Sequence, residues 1–367
     1  MELLRAFLAS DEFSDIRCFS RGRWHKPDTV IRSLNLPREP GGTDGENMHP
    51  ARWNHNSVKS LLKRMLPYLS QRKLNKYART HIYHSPNYRL SPFAGKKIAT
   101  FHDLSLFLYP QYHPEDRLKV LTPAIEQAAQ EADHLIVDSE QVRKEVIAYF
   151  GVHQERITAI PLASSLDTES LDETARDSFL SQLGLTSGGY FLFVSTLEPR
   201  KNISGLLGAY ELLPTSVRRH FPLVLAGQLG WKSGDIAKAL ERGKQRGDVM
   251  QTGYLSNLQL CQLYSGAKAF VFPSFYEGFG LPIIEAQGFG VPVITSDCSC
   301  MPEVAGGAGL FINPEAYATL ADAMQTIIDD PELHARLSLL GLENSQRFSW
   351  ASTAQQTIAL YHSVLQG

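Results

Sequence analysis

Five short apolar runs in the second half of the chain are spaced by stretches of helical pattern. They are "YFLFVSTL" (190–197), "PLVLAG" (222–227), "VMQTGYL" (249–255), "AFVFPS" (269–274) and "PVITS" (292–296), with helical patterns at 203–213, 257–267 and 281–290. Runs this short, with no polar alternation, suit strands buried on both faces. Strands linked through helices run parallel, so the alternation predicts a doubly wound α/β sheet.

The first half repeats the theme more loosely. "HIYHS" (81–85), "KKIATFHD" (96–103), "ADHLIVDSE" (132–140) and "RITAIPL" (156–162) read as strands. "TPAIEQAAQEA" and "SEQVRKEVIAYFG" read as helices, the second capped by Ser139 and stopped at Gly151. A chain of 367 residues exceeds what one core ordinarily fills. The expected architecture is two Rossmann-like domains facing a cleft, 1–163 and 190–348. The polar stretch 164–189 connects them, and a terminal helix, 349–367, begins at Ser349 and packs back on the first domain. Residues 35–50 are expected to form a loop.

Composition removes several classes of function. A net charge of −2 argues against nucleic-acid binding. No apolar run reaches the ~18–20 residues of a membrane span. "MELLRAFLASDEF" lacks the unbroken apolar core of a secretory signal, so a cytosolic location is expected. Cys18, Cys261, Cys298 and Cys300 are too scattered for a disulfide framework, and buried thiols suit the Cys298/Cys300 pair better than zinc. A dehydrogenase would need a strand followed by G-x-G-x-x-G, which is missing.

"FYEGFGLPIIEAQ" (275–287) carries the strongest chemistry. A strand delivers a glycine turn, and a helix opens near Pro282, which suits a first helical position. Amides at 279–281 and the helix dipole would favour an anion. Glu277 and Glu285, with seven residues between them, would repel a phosphate but suit hydroxyl groups on either side of one. A nucleotide sugar has that layout. Either acid alone would be an ordinary loop cap or first-turn residue; the pair around this turn is far more specific. "STLEPRKN" (195–202) follows another strand, and ligands gather beyond the carboxyl ends of parallel strands. Arg200 and Lys201 there offer a fork and a point charge to a diphosphate. No aspartate pair with metal spacing accompanies them, so a metal-independent site without cofactor is expected.

"STLEPRKN", "LAGQLGW", the run from "GYLSNLQL" to "GLFINP", and "FSW" resemble the retaining glycosyltransferases of family four, which have the GT-B fold. The likeness covers roughly 95–365 and is most specific over 191–314; the bacterial polysaccharide mannosyltransferases are the nearest group. It implies that Glu277 holds the hydroxyls of the donor sugar and Glu285 the ribose. Arg200 and Lys201 would bind the diphosphate, with the backbone of Gly278, Phe279, Gly280 and Leu281 completing the cradle. Gly227 would lie against the nucleotide, and Tyr254 and Leu255 beside the base. His102, in "TFHDLS", would face the donor sugar from the first domain. Taken alone, that histidine would be expected to bond Asp103 or a backbone carbonyl. The partners implied are a nucleotide sugar, GDP-mannose first, and a glycan or lipid-linked glycan acceptor. A nucleotide-sugar 2-epimerase of similar architecture is the alternative.

Two features depart from that pattern. The family begins with a strand and a glycine-rich loop, whereas here Leu3, Leu4, Phe7 and Leu8 already stand at helical spacing. Either the true start lies upstream, which is favoured, or the form is inactive. From Asn47 to His102 there are eleven Lys or Arg and no Asp or Glu. Within this tract, 59–80 interleaves leucines with bases. It reads equally as a segment for an anionic membrane or as an ordinary solvated helix face.

Overall fold

A computed structural model describes residues 1–10, 12–20, 23–35, 72–168 and 171–366. The loop expected at 35–50, beyond Asn35, and the basic tract as far as 71 lie outside the described residues.

A small antiparallel hairpin, β1 (Cys18–Ser20) and β2 (Arg23–His25), precedes the first sheet. That sheet contains β3 (Tyr83–Ser85), β4 (Lys97–Phe101), β5 (His134–Val137) and β6 (Ile157–Ala159), all parallel and in sequential order. Helices Glu115–Glu131 and Glu140–Phe150 cover one face, where Ile125, Ala128, Val142 and Val146 pack with Phe101, Leu135 and Val137. Ser139 caps the second helix by accepting from Val142 N, and Gly151 ends it in the left-handed region. The other face is closed from the far end of the chain. Leu360 and Val364 of helix Trp350–Gln366 pack on Ile98, Ile136 and Ile160. The helix Glu2–Ala9 packs against that terminal helix, with Phe7 on Ala354 and Ile358.

The second sheet contains β7 (Phe191–Val194), β8 (Leu223–Ala226), β9 (Val249–Gln251), β10 (Ala269–Phe272), β11 (Val293–Ser296) and β12 (Gly309–Ile312). Its order is β12-β11-β10-β7-β8-β9, parallel throughout. Strand order therefore reverses between β7 and β10, and a crevice opens beyond their carboxyl ends. β12 was not marked by an apolar run of its own because, as an edge strand, it buries Ile312 but leaves Phe311 exposed. The stretch expected to be a polar connection contains helix Glu173–Gln182, capped by Asp172. Leu180 and Leu185 are buried in the core of the second sheet, so that core draws on residues ahead of Tyr190. The amphipathic signal there was weak: this helix buries a single leucine.

Leu360→Ala would open a void against three isoleucines of the first sheet and should cost about 2–4 kcal/mol in urea unfolding. A loss under about 0.5 kcal/mol would show that the terminal helix does not seal that face.

Candidate active site

The loops leaving β7 and β10 are stitched at the reversal point, where Phe275 N donates to Arg200 O over 3.0 Å. After β7 the chain makes a 3₁₀ turn, Pro199–Lys201, and then Asn202 takes a left-handed conformation with φ 56°. Asparagine tolerates that region. Its side chain accepts from Gly205 N, starting helix Ile203–Leu212, and donates to Pro314 O at 2.7 Å. The turn is thereby held so that both cationic side chains face the loop after β10.

There they meet Glu277. Lys201 Nζ lies 2.6 and 2.7 Å from the two carboxylate oxygens, and an Arg200 Nη1 donates at 3.1 Å. The other Arg200 terminal nitrogen donates to Glu198 Oε1 at 3.0 Å. Glu198, Lys201 and Glu277 are all buried. Burial alone would raise the Glu277 carboxyl, but the charges of Lys201 and Arg200 outweigh it and hold it at about 2. Burial draws the Lys201 ammonium down, with Glu277 opposing. Arg200 is raised, since Glu277, Asp103 and Glu198 overcome its desolvation. Glu198 is pushed up by burial, and its Oε2 has no partner among the described residues.

The glycine loop follows directly. A Cβ on Gly278 would stand 1.7 Å from His102 O, so only glycine lets the two domains touch there. Gly280 has φ 93° and precedes helix Leu281–Gly288, with proline in its first turn. Amides of Phe279, Gly280 and Leu281 have no hydrogen-bond partner among the described residues, as an anion cradle requires. Carbonyls are tied down instead: Ser139 Oγ donates to Gly278 O at 2.7 Å, and the Cys300 thiol lies 3.1 Å from Glu277 O and from Phe279 O. Tyr276 reaches across to the first domain, accepting from Leu104 N at 3.0 Å and donating to Glu145 at 2.6 Å. Glu303 accepts from Glu140 N and Gln141 N at 2.8 and 3.0 Å, capping a helix of the opposite domain.

His102 stands at the end of β4, on the cleft. Its Nδ1 is 2.7 Å from Asp138 Oδ2 and its Nε2 donates to Pro86 O at 2.9 Å. Burial would lower the imidazole, but bonding to Asp138, and that residue's charge, lift it to about 9. The ring's partners are thus Asp138 and a carbonyl, while adjacent Asp103 accepts from Ser105 N and Oγ at 2.8 and 2.7 Å. What His102 presents to the glycine loop is its backbone carbonyl.

Glu285 is placed apart from Glu277, one turn into the helix, where Tyr264 Oη donates to it at 2.9 Å. Burial raises its carboxyl, with Tyr264 opposing. Gly227 ends β8, and a Cβ there would fall 1.9 Å from Ser195 O, so glycine lets these loops close up. Leu255 packs partly on the core, whereas Tyr254 is 82% exposed, a free ring at the rim. Arg200, Lys201, Glu277 and the 278–281 backbone thus converge. His102 touches the glycine loop across the cleft, while Gly227 follows β8, Tyr254 and Leu255 follow β9, and Glu285 stays on its own helix bonded to Tyr264. Asp138, Glu145, Glu198, Tyr276 and Cys300 were not singled out from sequence as site residues. Glu198 alone had a signal, its place two residues before Arg200.

Two parallel-sheet domains meeting over a site at the strand-order reversal form the GT-B architecture. Solved structures agree: sucrose-phosphate synthase from Thermosynechococcus elongatus aligns with TM-score 0.65 at 24% identity, over 85% of this chain and 81% of that one. Anabaena HepE, solved with UDP-glucose, aligns with TM-score 0.66 at 19% identity over 84% and 90%. The family models described as "Glycosyl transferases group 1" and "Glycosyltransferase Family 4" match residues 177–361 and 25–167. O-antigen chain mannosyltransferase B of Escherichia coli is 38% identical over 77% of this chain and 74% of its own length. The serotype-specific mannosyltransferase WbdA of Escherichia coli is 32% identical over 64% of this chain, which spans only 29% of that protein. The chain belongs to glycosyltransferase family 4 and is a hexosyltransferase.

Because His102 is raised from an unfolded value near 6.5, its stabilising contribution is complete below about pH 6.5. It is lost as pH rises through about 9. The ring should titrate near pH 9 by NMR, and Asp138→Asn should bring the midpoint below 7. A wild-type midpoint near 6.5 would remove the Asp138 pairing.

Proposed function

We propose that the protein transfers mannose from GDP-mannose, with retention at the anomeric carbon, to a glycan or lipid-linked glycan acceptor in cell-surface polysaccharide synthesis. The observation that carries this is the convergence of Arg200 and Lys201 on Glu277 beside the unpaired amides of the glycine loop. Relatives named as an O-antigen chain mannosyltransferase and a serotype-specific mannosyltransferase support the sugar and the pathway class.

In this reading the diphosphate displaces part of the Glu277 charge from Arg200 and Lys201 and takes its place among them, with the amides of 279–281 on its other side. The bond from the anomeric carbon to the diphosphate oxygen breaks as the acceptor oxygen bonds to the same face. The acceptor proton passes to the departing diphosphate oxygen, and GDP leaves. Preorganised cations stabilise the charge that develops there, without a divalent ion. Glu277 makes a poor nucleophile, since its expected place is by the outer hydroxyls of the donor sugar. It is assigned to the hydroxyls of the hexose, and Glu285 to the ribose.

We infer a cytoplasmic location, where nucleotide sugars are made; the basic tract (59–80) would then suit the anionic inner face of the membrane, with an ordinary solvated helix face as the equal alternative. Salt-sensitive flotation with anionic vesicles is expected; no binding at low salt would end that part of the reading.

A screen of GDP- and UDP-sugars with a mannan-type acceptor should show turnover of GDP-mannose. Arg200→Ala should lower kcat by about 10²–10³-fold with the fold intact. Turnover of UDP-sugars alone would overturn the donor, and full activity in Glu277→Gln would remove that residue's role.

A further inference from the structure

A buried imidazole with nothing to bond sits at the seam beside the cations. His113 is 4% exposed, yet neither ring nitrogen has a partner among the described residues. Its main chain, by contrast, is fixed. His113 N donates to Pro110 O at 3.0 Å, and the two carbonyls before it are held by the other domain. Trp231 Nε1 donates to Tyr112 O at 2.7 Å and Lys232 Nζ to Gln111 O at 2.6 Å. Lys232 makes that contact from a left-handed conformation, φ 52°, a strain of the kind that collects at functional sites.

The ring is one of several unfilled polar groups along a continuous wall. The His113 and Trp231 rings lie 6.1 Å apart. Next to Trp231, Gly230 donates to Leu197 O, and a Cβ on Gly230 would come 3.3 Å from Glu198 Cβ. Glu198 bonds Arg200, and Glu198 Oε2 and Arg200 Nε are themselves without partners. An unfilled donor or acceptor in the interior points to a missing ligand or water. The wall runs into the cations assigned to the diphosphate, and Arg117 also lies over the Trp231 ring, 5.0 Å from its centroid.

We propose that His113 is a further donor-binding residue, placed to hydrogen-bond a phosphate oxygen of the nucleotide sugar held by Arg200. This rests on the donor reading above and extends it to the first domain, which then grips the diphosphate as the cleft closes. The charged groups acting on the ring are Asp103, Arg117, Arg200 and Lys232. Burial first, opposed by Asp103 and aided by Arg117, Arg200 and Lys232, pushes the imidazole down to about 4. It is neutral near pH 6. A diphosphate reverses that balance, so the ring takes up a proton on binding and donates to the anion.

Calorimetry with GDP at pH 6, in two buffers of different ionisation enthalpy, tests this. Wild type should take up more protons than His113→Phe, and the difference separates the imidazole from titration of the phosphate itself. His113→Phe keeps a ring against Trp231 and should bind GDP about tenfold more weakly with an undiminished melting temperature. His113→Gln restores a donor, should recover most of the affinity and should still lack the extra proton, which covers a phenylalanine variant that misfolds. Equal affinity and equal proton uptake in wild type and variants would reduce His113 to a site for a buried water and overturn the proposal. Weakened binding of GDP-mannose with unchanged GDP would move the contact to the hexose and overturn it equally. A wild-type chain binding neither GDP nor UDP would instead overturn the donor reading beneath it.

Discussion

A buried carboxylate shared by a lysine and an arginine sets the geometry on which the site depends. Taking Glu277, Lys201 and Arg200 out of water is expensive, and their mutual attraction offsets it only while the distances stay short. Those distances are fixed by backbone rather than by the charges. β7 and β10 are adjacent because strand order reverses there, Phe275 N bonds Arg200 O, and Asn202 locks the turn after Lys201. The fold thus brings the charges together at a cost that a hydrophobic trio would not incur. A site built only for stability would not choose them.

The site is nearly self-neutralised, and this bears on how it could bind an anion. Arg200 is held between Glu277 and Glu198, and Lys201 is paired with Glu277 over the Phe272 ring. Two cations this close would repel each other in a buried site, and the acids offset that repulsion. On the proposed donor reading, an entering diphosphate would partly release Glu277 to turn to hydroxyls, the role its residue type suits. On that reading the same carboxylate would both neutralise the cations and recognise the donor.

Contacts between the domains combine polar groups with the ring pairs Tyr109–Tyr276 and Tyr112–Phe275 beside the candidate site. Gly278 has no side chain because His102 O occupies the place, and Ser139, Tyr276 and Glu303 each spend a polar group on the opposite domain. Contacts of this kind resemble a transient interface more than a fused core, which fits domains that open to admit substrate. The end of β4 meets the glycine loop, and the 110–113 turn meets 231 and 232, so the domain contact and the candidate site share their residues.

Sequence legibility followed how local each signal was. β7, β8, β10 and β11 were readable because full burial leaves unbroken apolar runs. The residues 200, 201 and 277–281 were readable because their chemistry needs specific types on adjacent positions. Their meeting could be inferred only from where parallel strands deliver loops. What stayed hidden depends on contacts distant in the chain. Asp138 lies far from His102 in sequence, whereas Asp103 is adjacent and was the natural partner to expect, yet it turns to Ser105. Helix Glu173–Gln182 looked like a connection because a single buried leucine makes a poor amphipathic stripe. His113 has no motif around it, and its interest lies wholly in what it fails to touch. Such a residue becomes visible only when both domains are in place, because an unfilled hydrogen bond is a property of the surroundings and not of the chain.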